Sequence, residues 1–489
     1  MKEIRIKNTL TKEKEVFKPQ KEGQVLFYHC GPTVYWSQHI GNLRGMTCGD
    51  LIVRSFRYSG YDVIHVRNYT DVGHLTSDED EGEDKMEKSA RKEKKSPLEI
   101  ADIYIKKFEQ DVGALNLEEP TYKPRATEHI KEMQEITRIL LDKGYAYTTD
   151  LAVYFDVSKF SRYGELSGQS LEDKKSGAGS GEVTDSAKRN PQDFALWFFK
   201  AGAHKNALQT WESPFKSNLV DNGEGFPGWH IECSAMSKKY LGNTLDVHMG
   251  GVEHIPIHHT NEIAQSEAAN EAKFVNYWLH NEHLMVNDSK MAKSEGTGVT
   301  LDDVLEKVGN PMVLRYFFLQ AHYRSRQNFT EEAILNAKNE FKSFQNRIKE
   351  ISINIDKKEK GEVISSFQDK FSQALADDFN IPEALATTIE MLKSEFPPED
   401  KLATLRDFDQ VLGLGVEKYA IAIERVDTKA GIEIEAEQGT PEEIQQLAGQ
   451  REECRRRKDF EQADLLREQI ESKGYNIKDG KEGPKIFKL

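Results

Sequence analysis

The segment Gln24-Val25-Leu26-Phe27-Tyr28-His29-Cys30-Gly31-Pro32, with His39-Ile40-Gly41-Asn42 shortly after it, decides the fold. Val25 to Tyr28 is a short apolar run closed by Gly31-Pro32, the pattern of a buried strand, here Gln24 to Cys30, that ends in a turn. From Gly41 the apolar positions take helical spacing through Leu51, Ile52, Val53 and Phe56, and Gly60 stops them. Tyr61 to Val66 is strand-like again. Strand, helix, strand in this order predicts a βαβ unit, a parallel sheet, and ligands at the carboxyl ends of its strands. The glycine of His39-Ile40-Gly41-Asn42 lets backbone approach a phosphate, and a helix N-terminus offers it free amides and a positive dipole.

Outward from this unit, the 489-residue chain is too long for one core and predicts three or four domains. Charged residues at 30% and hydrophobic ones at 37% suit a folded, soluble protein. No apolar run approaches the roughly 20 residues that cross a bilayer. The start, Met1-Lys2-Glu3-Ile4, carries charges without an apolar signal core, and four cysteines are too few for a secreted disulfide scaffold. A cytoplasmic protein is expected. The net charge of −15 argues against a generic nucleic-acid coat and leaves room for a local basic patch.

Residues from about 75 to 225 read as a long insertion. It opens on the acidic run Asp78-Glu79-Asp80-Glu81, passes a Lys-rich helix candidate around Lys85 to Lys95, and contains the Gly/Ser-rich piece Ser176 to Gly181. Strand and helix character returns from Leu245 to about Asp302. Past Pro311 the chain turns helical: Ile334, Ala337, Phe341, Phe344 and Ile348 form one apolar stripe, with Thr330 a candidate N-cap before Glu331 and Glu332. A second stripe runs through Phe367, Phe371, Ala374 and Leu375. Ile421 to Thr440, Glu-rich and free of aromatics, reads as a linker. In the last segment Ala463, Leu466 and Ile470 share a helix face that Gly474 ends.

Two further features carry chemistry. Lys290-Met291-Ala292-Lys293-Ser294 follows the strand-like Leu284-Met285-Val286 and precedes Gly296 and Gly298, so two lysines in a glycine-flanked loop can neutralise a triphosphate. Cys30, Cys233, His258 and Glu262 form a dispersed donor set. His258 and Glu262, four apart, share a helix face, and two thiolates, an imidazole and a carboxylate suit zinc.

In order along the chain, Tyr28 to Tyr35, His39 to Asn42, Arg67-Asn68-Tyr69-Thr70-Asp71, Gly228 to Met236, His258 to Glu262, Lys290 to Ser294, Ala376 to Ala384 and Ala463-Asp464 to Asp479-Gly480 closely resemble the cysteinyl-tRNA synthetases. The resemblance implies a Rossmann-type class I catalytic domain split between 1–75 and 225–305. It implies an inserted connective domain at 76–224, a helical bundle at 306–420, the linker at 421–440 and a small anticodon-binding domain at 441–489. It implies that His39, Asn42, Lys290 and Lys293 serve catalysis, with His39, Gly41, Asn42 and Lys293 on ATP. Thr70 and Trp229 would hold the substrate cysteine, and Cys30, Cys233, His258 and Glu262 one zinc ion. Asp464 and Asp479 would read the anticodon, with Arg451, Arg455, Arg456, Arg457 and Lys458 near phosphates. The implied reaction is ATP-dependent activation of L-cysteine, with Mg²⁺, and its transfer to tRNA(Cys); a monomer is expected.

This sequence departs from the family pattern at Asn42, in place of the last His of HIGH, and at Ala292, in place of the Ser of KMSKS. It also has Ile486-Phe487 where a Trp with basic residues is usual. The Asp78–Asp84 insert and the stretch Ala201 to Pro227 are longer than in compact members. A related ligase joining cysteine to an amino sugar would share the motifs and the metal donors but lack the C-terminal unit.

Overall fold

The computed structural model describes residues 2–72, 85–169, 185–290, 298–355, 360–420, 423–429, 431–480 and 483–488. The runs 78–84 and 176–181 lie outside the described residues, as do Lys293 and the rest of its loop. Two compact units divide the chain: Met1–Lys338 with Ser372–Leu385, and Asn339–Phe371 with Ala386–Leu489.

In the first unit the βαβ expectation is met. Its elements are β1 (Gln24–His29), α1 (Ile40–Tyr58), β2 (Asp62–Arg67), α2 (Trp229–Leu241), β3 (Leu245–Gly251), α3 (His258–Asn270) and β4 (Val275–Asn281). They build a parallel sheet in the order β4-β3-β1-β2. Strand order reverses between β1 and β3, so the crevice outside their carboxyl ends is where a ligand is expected. One face of the sheet buries Val25, Phe27, Val63, Val247 and Leu279 against Ile52, Val53 and Phe56 of α1. Gly60, at φ +88°, lets the chain leave that helix and turn directly into β2.

A buried ion network also anchors α1. One Asp50 oxygen accepts from Arg54 Nε and Arg315 Nη2, both at 2.9 Å, and the other from the Glu118 amide at 2.8 Å. The Asp50 and Arg315 side chains are 4% and 0% exposed. Removing one partner of such a pair leaves an uncompensated buried charge. Asp50→Ala is expected to lower the urea unfolding free energy of this unit by about 3–5 kcal/mol.

Between β2 and α2 the chain forms helices Lys85–Glu93, Pro97–Ala114 and Ile130–Asp142 and a second, antiparallel sheet. Its central strand, Phe194–Phe199, is buried at every position, as an unbroken apolar run requires. Trp197 and Phe199 share one core with Tyr28 and Trp278 of the catalytic sheet. The extra stretch 201–227 makes two short 3₁₀ turns and returns as the edge strand Gly225–Pro227 of this sheet, with Trp211 bridging to Gly225.

In the second unit, Phe371 and Phe408 stack at 4.0 Å, pairing helices Ser365–Ala376 and Pro398–Leu412. Upstream, Thr330 caps helix Glu331–Ile353 as expected, its hydroxyl accepting from the Ala333 amide. The Glu-rich stretch read as a linker instead contains two strands, Ile423–Asp427 and Glu433–Glu437. The second of these pairs with Gly483–Lys488. The reason is period-two burial: Ile432, Ile434 and Ala436 enter the core with Ile444, Ile470, Ile477 and Ile486, while Glu433, Glu435 and Glu437 take the other face. Among the described residues no helix is long and apolar enough to cross a membrane.

Arg451, expected beside phosphates, is fully buried. Its guanidinium donates to both Asp479 oxygens, at 2.6 and 3.2 Å, and to Glu452. Arg456, Arg457 and Lys458 remain exposed. The hydrogen bond from Arg451, followed by the charges of Arg455 and Arg467, holds Asp479 below the usual carboxylate range. A carboxylate with a depressed folded pKa stabilises above its unfolded value, near 3.9, and that contribution is lost as pH falls through the folded value. The thermal midpoint of the second unit is therefore expected to drop below about pH 4. Asp479→Asn should flatten that acid limb in a pH series of melts.

Candidate active site and metal centre

The carboxyl ends of β1, β2 and β3 open onto a cavity of about 270 Å³. Cys30, His39, Gly41, Asn42, Thr70, Trp229, Cys233 and His258 all line it. Most of the dispersed positions singled out in the sequence thus meet at one crevice, with the fully buried Glu262 one helical turn along α3 from His258.

His39 is the N-cap of α1, and its Nδ1 accepts from the Asn42 amide at 3.2 Å. With Nδ1 as acceptor, a neutral ring carries its proton on Nε2. The segment just past the lysine loop pairs with this same point. The Ile40 amide donates to Val299 O at 2.8 Å, and His39 bridges Thr300. Lys290 ends β6 (Ser289–Lys290), which pairs antiparallel with β5 (Leu284–Val286).

Thr70 is held where β1 and β2 end, its amide donating to Pro32 O at 3.1 Å and its carbonyl accepting from Val34 at 3.2 Å. Only glycine fits before Pro32, because a Cβ on Gly31 would stand 1.7 Å from Asn68 O. The Trp229 ring, at the start of α2, lies 4.4 Å from that of His258.

The donor cluster sits beneath this opening. Ligand atoms of Cys30, His258, His259 and Glu262, all buried, lie within 4.8 Å of one another. His258 Nε2 is 3.0 Å from Glu262 Oε1, as their spacing on one helix face predicts. Cys233, also buried, lines the same cavity as Cys30 and His258. Interaction with Cys30 outweighs burial and lowers the Cys233 thiol to about 6, while burial and Cys233 push Cys30 up. Burial opposes a charged His258, yet Glu262 and Cys233 raise it to about 10. Glu262, likewise against burial, is held at about 2 by His248 and His258. Thiols, imidazoles and a carboxylate packed together out of water form a set to which binding of a divalent cation is coupled to loss of protons. The donors brought together are one sulfur, two imidazoles and a carboxylate, a set able to hold a transition-metal ion, with Cys233 outside it.

The sequence reading passed over His259, His248 and His280. His259 Nε2 lies 3.3 Å from Cys30 Sγ, and its Nδ1 lies 2.7 Å from His280 Nε2. His280 reaches Thr9 Oγ1 at 2.8 Å, and His248 Nε2 meets Glu262 Oε2 at 3.0 Å. Partners of this kind set the tautomer and orientation of donor groups. The available signal was the tandem His258-His259 and a histidine on each neighbouring strand.

Of the predicted anticodon residues, Asp464 is exposed on helix Phe460–Ser472. Asp479 lies in strand Tyr475–Gly480, tied to Arg451.

A parallel sheet with a helix start and a lysine hairpin at its carboxyl edge defines a class I tRNA synthetase. Solved structures agree on the fold. Methionyl-tRNA synthetase of Mycobacterium tuberculosis, in complex with methionyl-adenylate, matches with TM-score 0.54 at 14% identity, covering 81% of this chain and 91% of that one. Leucyl-tRNA synthetase (LeuRS, agnB2) of Agrobacterium radiobacter K84 matches with TM-score 0.55 at 11% identity over 83% and 85%. Residues 16–339 match the family model "tRNA synthetases class I (C) catalytic domain", and 437–484 match "Cysteinyl-tRNA ligase anticodon binding domain". Cysteine--tRNA ligase of Treponema denticola is 42% identical over 97% of this chain and 98% of its own length. That of Chlorobaculum tepidum is 40% identical over 99% and 98%, and that of Thermus thermophilus is 40% identical over 98% of each. The chain belongs to the cysteine--tRNA ligase family.

Proposed function

We propose that this enzyme activates L-cysteine with ATP and Mg²⁺ to cysteinyl-adenylate and transfers the cysteinyl group to the 3′ end of tRNA(Cys). It would act as a cytoplasmic monomer. The observation that carries the reading is that Cys30, Cys233 and His258, with Glu262 3.0 Å behind His258, share one cavity with the His39-capped start of α1.

In this reading Cys30, Cys233, His258 and Glu262 hold one zinc ion, and His259 orients Cys30. When bound there, zinc offers a soft acceptor for a thiolate, for which a serine hydroxyl is a poor substitute. That difference matters because packing alone discriminates one-atom changes poorly. Thr70 and Trp229 place the amino acid. His39, with the amide at Gly41 and the side chain of Asn42, would receive the phosphates at the helix start. Lys290 and Lys293 neutralise charge as the cysteine carboxylate attacks the α-phosphate and pyrophosphate leaves.

The proposed domains are 1–75 with 225–305 catalytic, 76–224 connective, 306–420 helical and, for the anticodon, 441–489 together with the two strands before it, Ile423–Asp427 and Glu433–Glu437, whose sheet and core it shares. Asp464 would meet base edges directly, and Asp479 would do so while anchoring Arg451. The match at 437–484 supports this reading over the amino-sugar ligase, for which a C-terminal unit has no use. Cysteine-dependent exchange of pyrophosphate into ATP, followed by charging of tRNA(Cys), tests it. Exchange without charging would favour the amino-sugar ligase, and neither activity in zinc-replete folded protein would reject synthesis altogether.

A further inference from the structure

We propose that Arg44 is a positioning residue for adenylate formation, clamping the His39 end of α1 to the strands that lead to Lys290. The inference rests on the function proposed above and deepens it.

Arg44 is five residues past His39 and fully buried. Its Nε donates to Gln327 Oε1 at 3.1 Å, Nη1 donates to Glu282 O, and Nη2 donates to His322 O at 3.2 Å and Ser325 O at 2.8 Å. All four acceptors are neutral oxygens. A buried cation without a carboxylate is expensive, and where stability alone is at stake an apolar side chain of similar volume serves as well or better. What the guanidinium adds is shape: a rigid planar fork that reaches several acceptors at once.

The location of those acceptors gives the fork its meaning. Glu282 lies between β4 and β5, and Gln327 begins β7 (Gln327–Phe329), which runs parallel to β5. β5 in turn pairs with β6, the strand ending at Lys290. Gln327 is itself fixed by donating to Phe317 O at 2.5 Å. The cavity is lined both by His39, Asn42 and Gly45 of the α1 start and by Glu282, His283 and Leu284 of the segment leading to β5. Arg44 bonds from the first group to the root of the second. Phosphate-binding groups on α1 and the lysine hairpin thereby hold one spacing, and misplacement by about 1 Å in such a site can cost about 10²-fold in rate.

Arg44→Lys keeps the charge but offers a point donor in place of the fork. In zinc-loaded full-length enzyme its kcat for cysteine-dependent pyrophosphate exchange is expected to fall about 10²-fold. The KM for cysteine, the zinc content and the melting temperature should stay at wild-type values. Gln327→Leu, which removes one acceptor and leaves the arginine in place, should lower the same kcat by a smaller factor. Wild-type kcat in both folded variants would overturn the proposal. So would a fall in kcat accompanied by a rise in cysteine KM and a loss of thermal stability, since that describes a purely structural residue. A wild-type enzyme that fails to exchange pyrophosphate at all would instead reject the function itself.

Discussion

Replacing Cys233 with alanine is expected to empty the metal centre and abolish cysteine activation. Cys233 lines the cavity beside Cys30 and His258, so its removal takes away one of the two sulfur donors of the proposed set. The loss should exceed the roughly 10–100-fold in metal affinity that follows removal of an orienting partner. His259→Gln provides that comparison: its ring touches Cys30 Sγ and His280, and it should lower zinc affinity within that smaller range. Zinc titration against a chromogenic chelator, beside pyrophosphate exchange, separates the two. If Cys233→Ala retained stoichiometric zinc while His259→Gln lost it, the ligand set would be Cys30, His258, His259 and Glu262, the four whose donor atoms lie within 4.8 Å of one another.

The second large effect is expected at His39. Its Nδ1 caps α1, so alanine there would remove a phosphate donor and a helix cap together, the cap alone being worth about 1 kcal/mol. Asparagine separates the roles, since it is a favoured N-cap but too short to present a donor where the imidazole Nε2 stands. His39→Asn should melt with the wild type while kcat for adenylate formation falls about 10²–10³-fold, the usual cost of one preorganised donor in such a site. Equal losses of stability and rate in His39→Asn would mean that His39 serves only as a cap.

The parts of this fold that could be read in the sequence were those where local pattern and burial coincide. Val25 to Tyr28, the stripe of α1 and its end at Gly60 announce the βαβ unit because one periodicity serves propensity and core alike. His258 and Glu262 were legible for the same reason, being one helical turn apart. The hairpin 423–437 was not, because a short strand of alternating Glu with Ile and Ala has the composition of a solvated linker. Nor were Arg44, Arg315 and Arg451, each fully buried. Arginine is ordinarily a surface residue, and what buries these three is carbonyls and carboxylates far away in sequence, such as Ser325 O for Arg44 and Asp50 for Arg315. The histidines behind the donor cluster belong to the same class, since His248, His259 and His280 meet only once β3, α3 and β4 are packed.

The most direct test of the central claim is charging of tRNA(Cys) by the zinc-loaded enzyme with labelled cysteine, run beside labelled serine at equal concentration. Cysteine charging with serine at background is expected, and loss of cysteine charging in Cys233→Ala. Comparable charging with serine, or undiminished cysteine charging by the metal-free Cys233→Ala protein, would contradict selection by a zinc-bound thiolate.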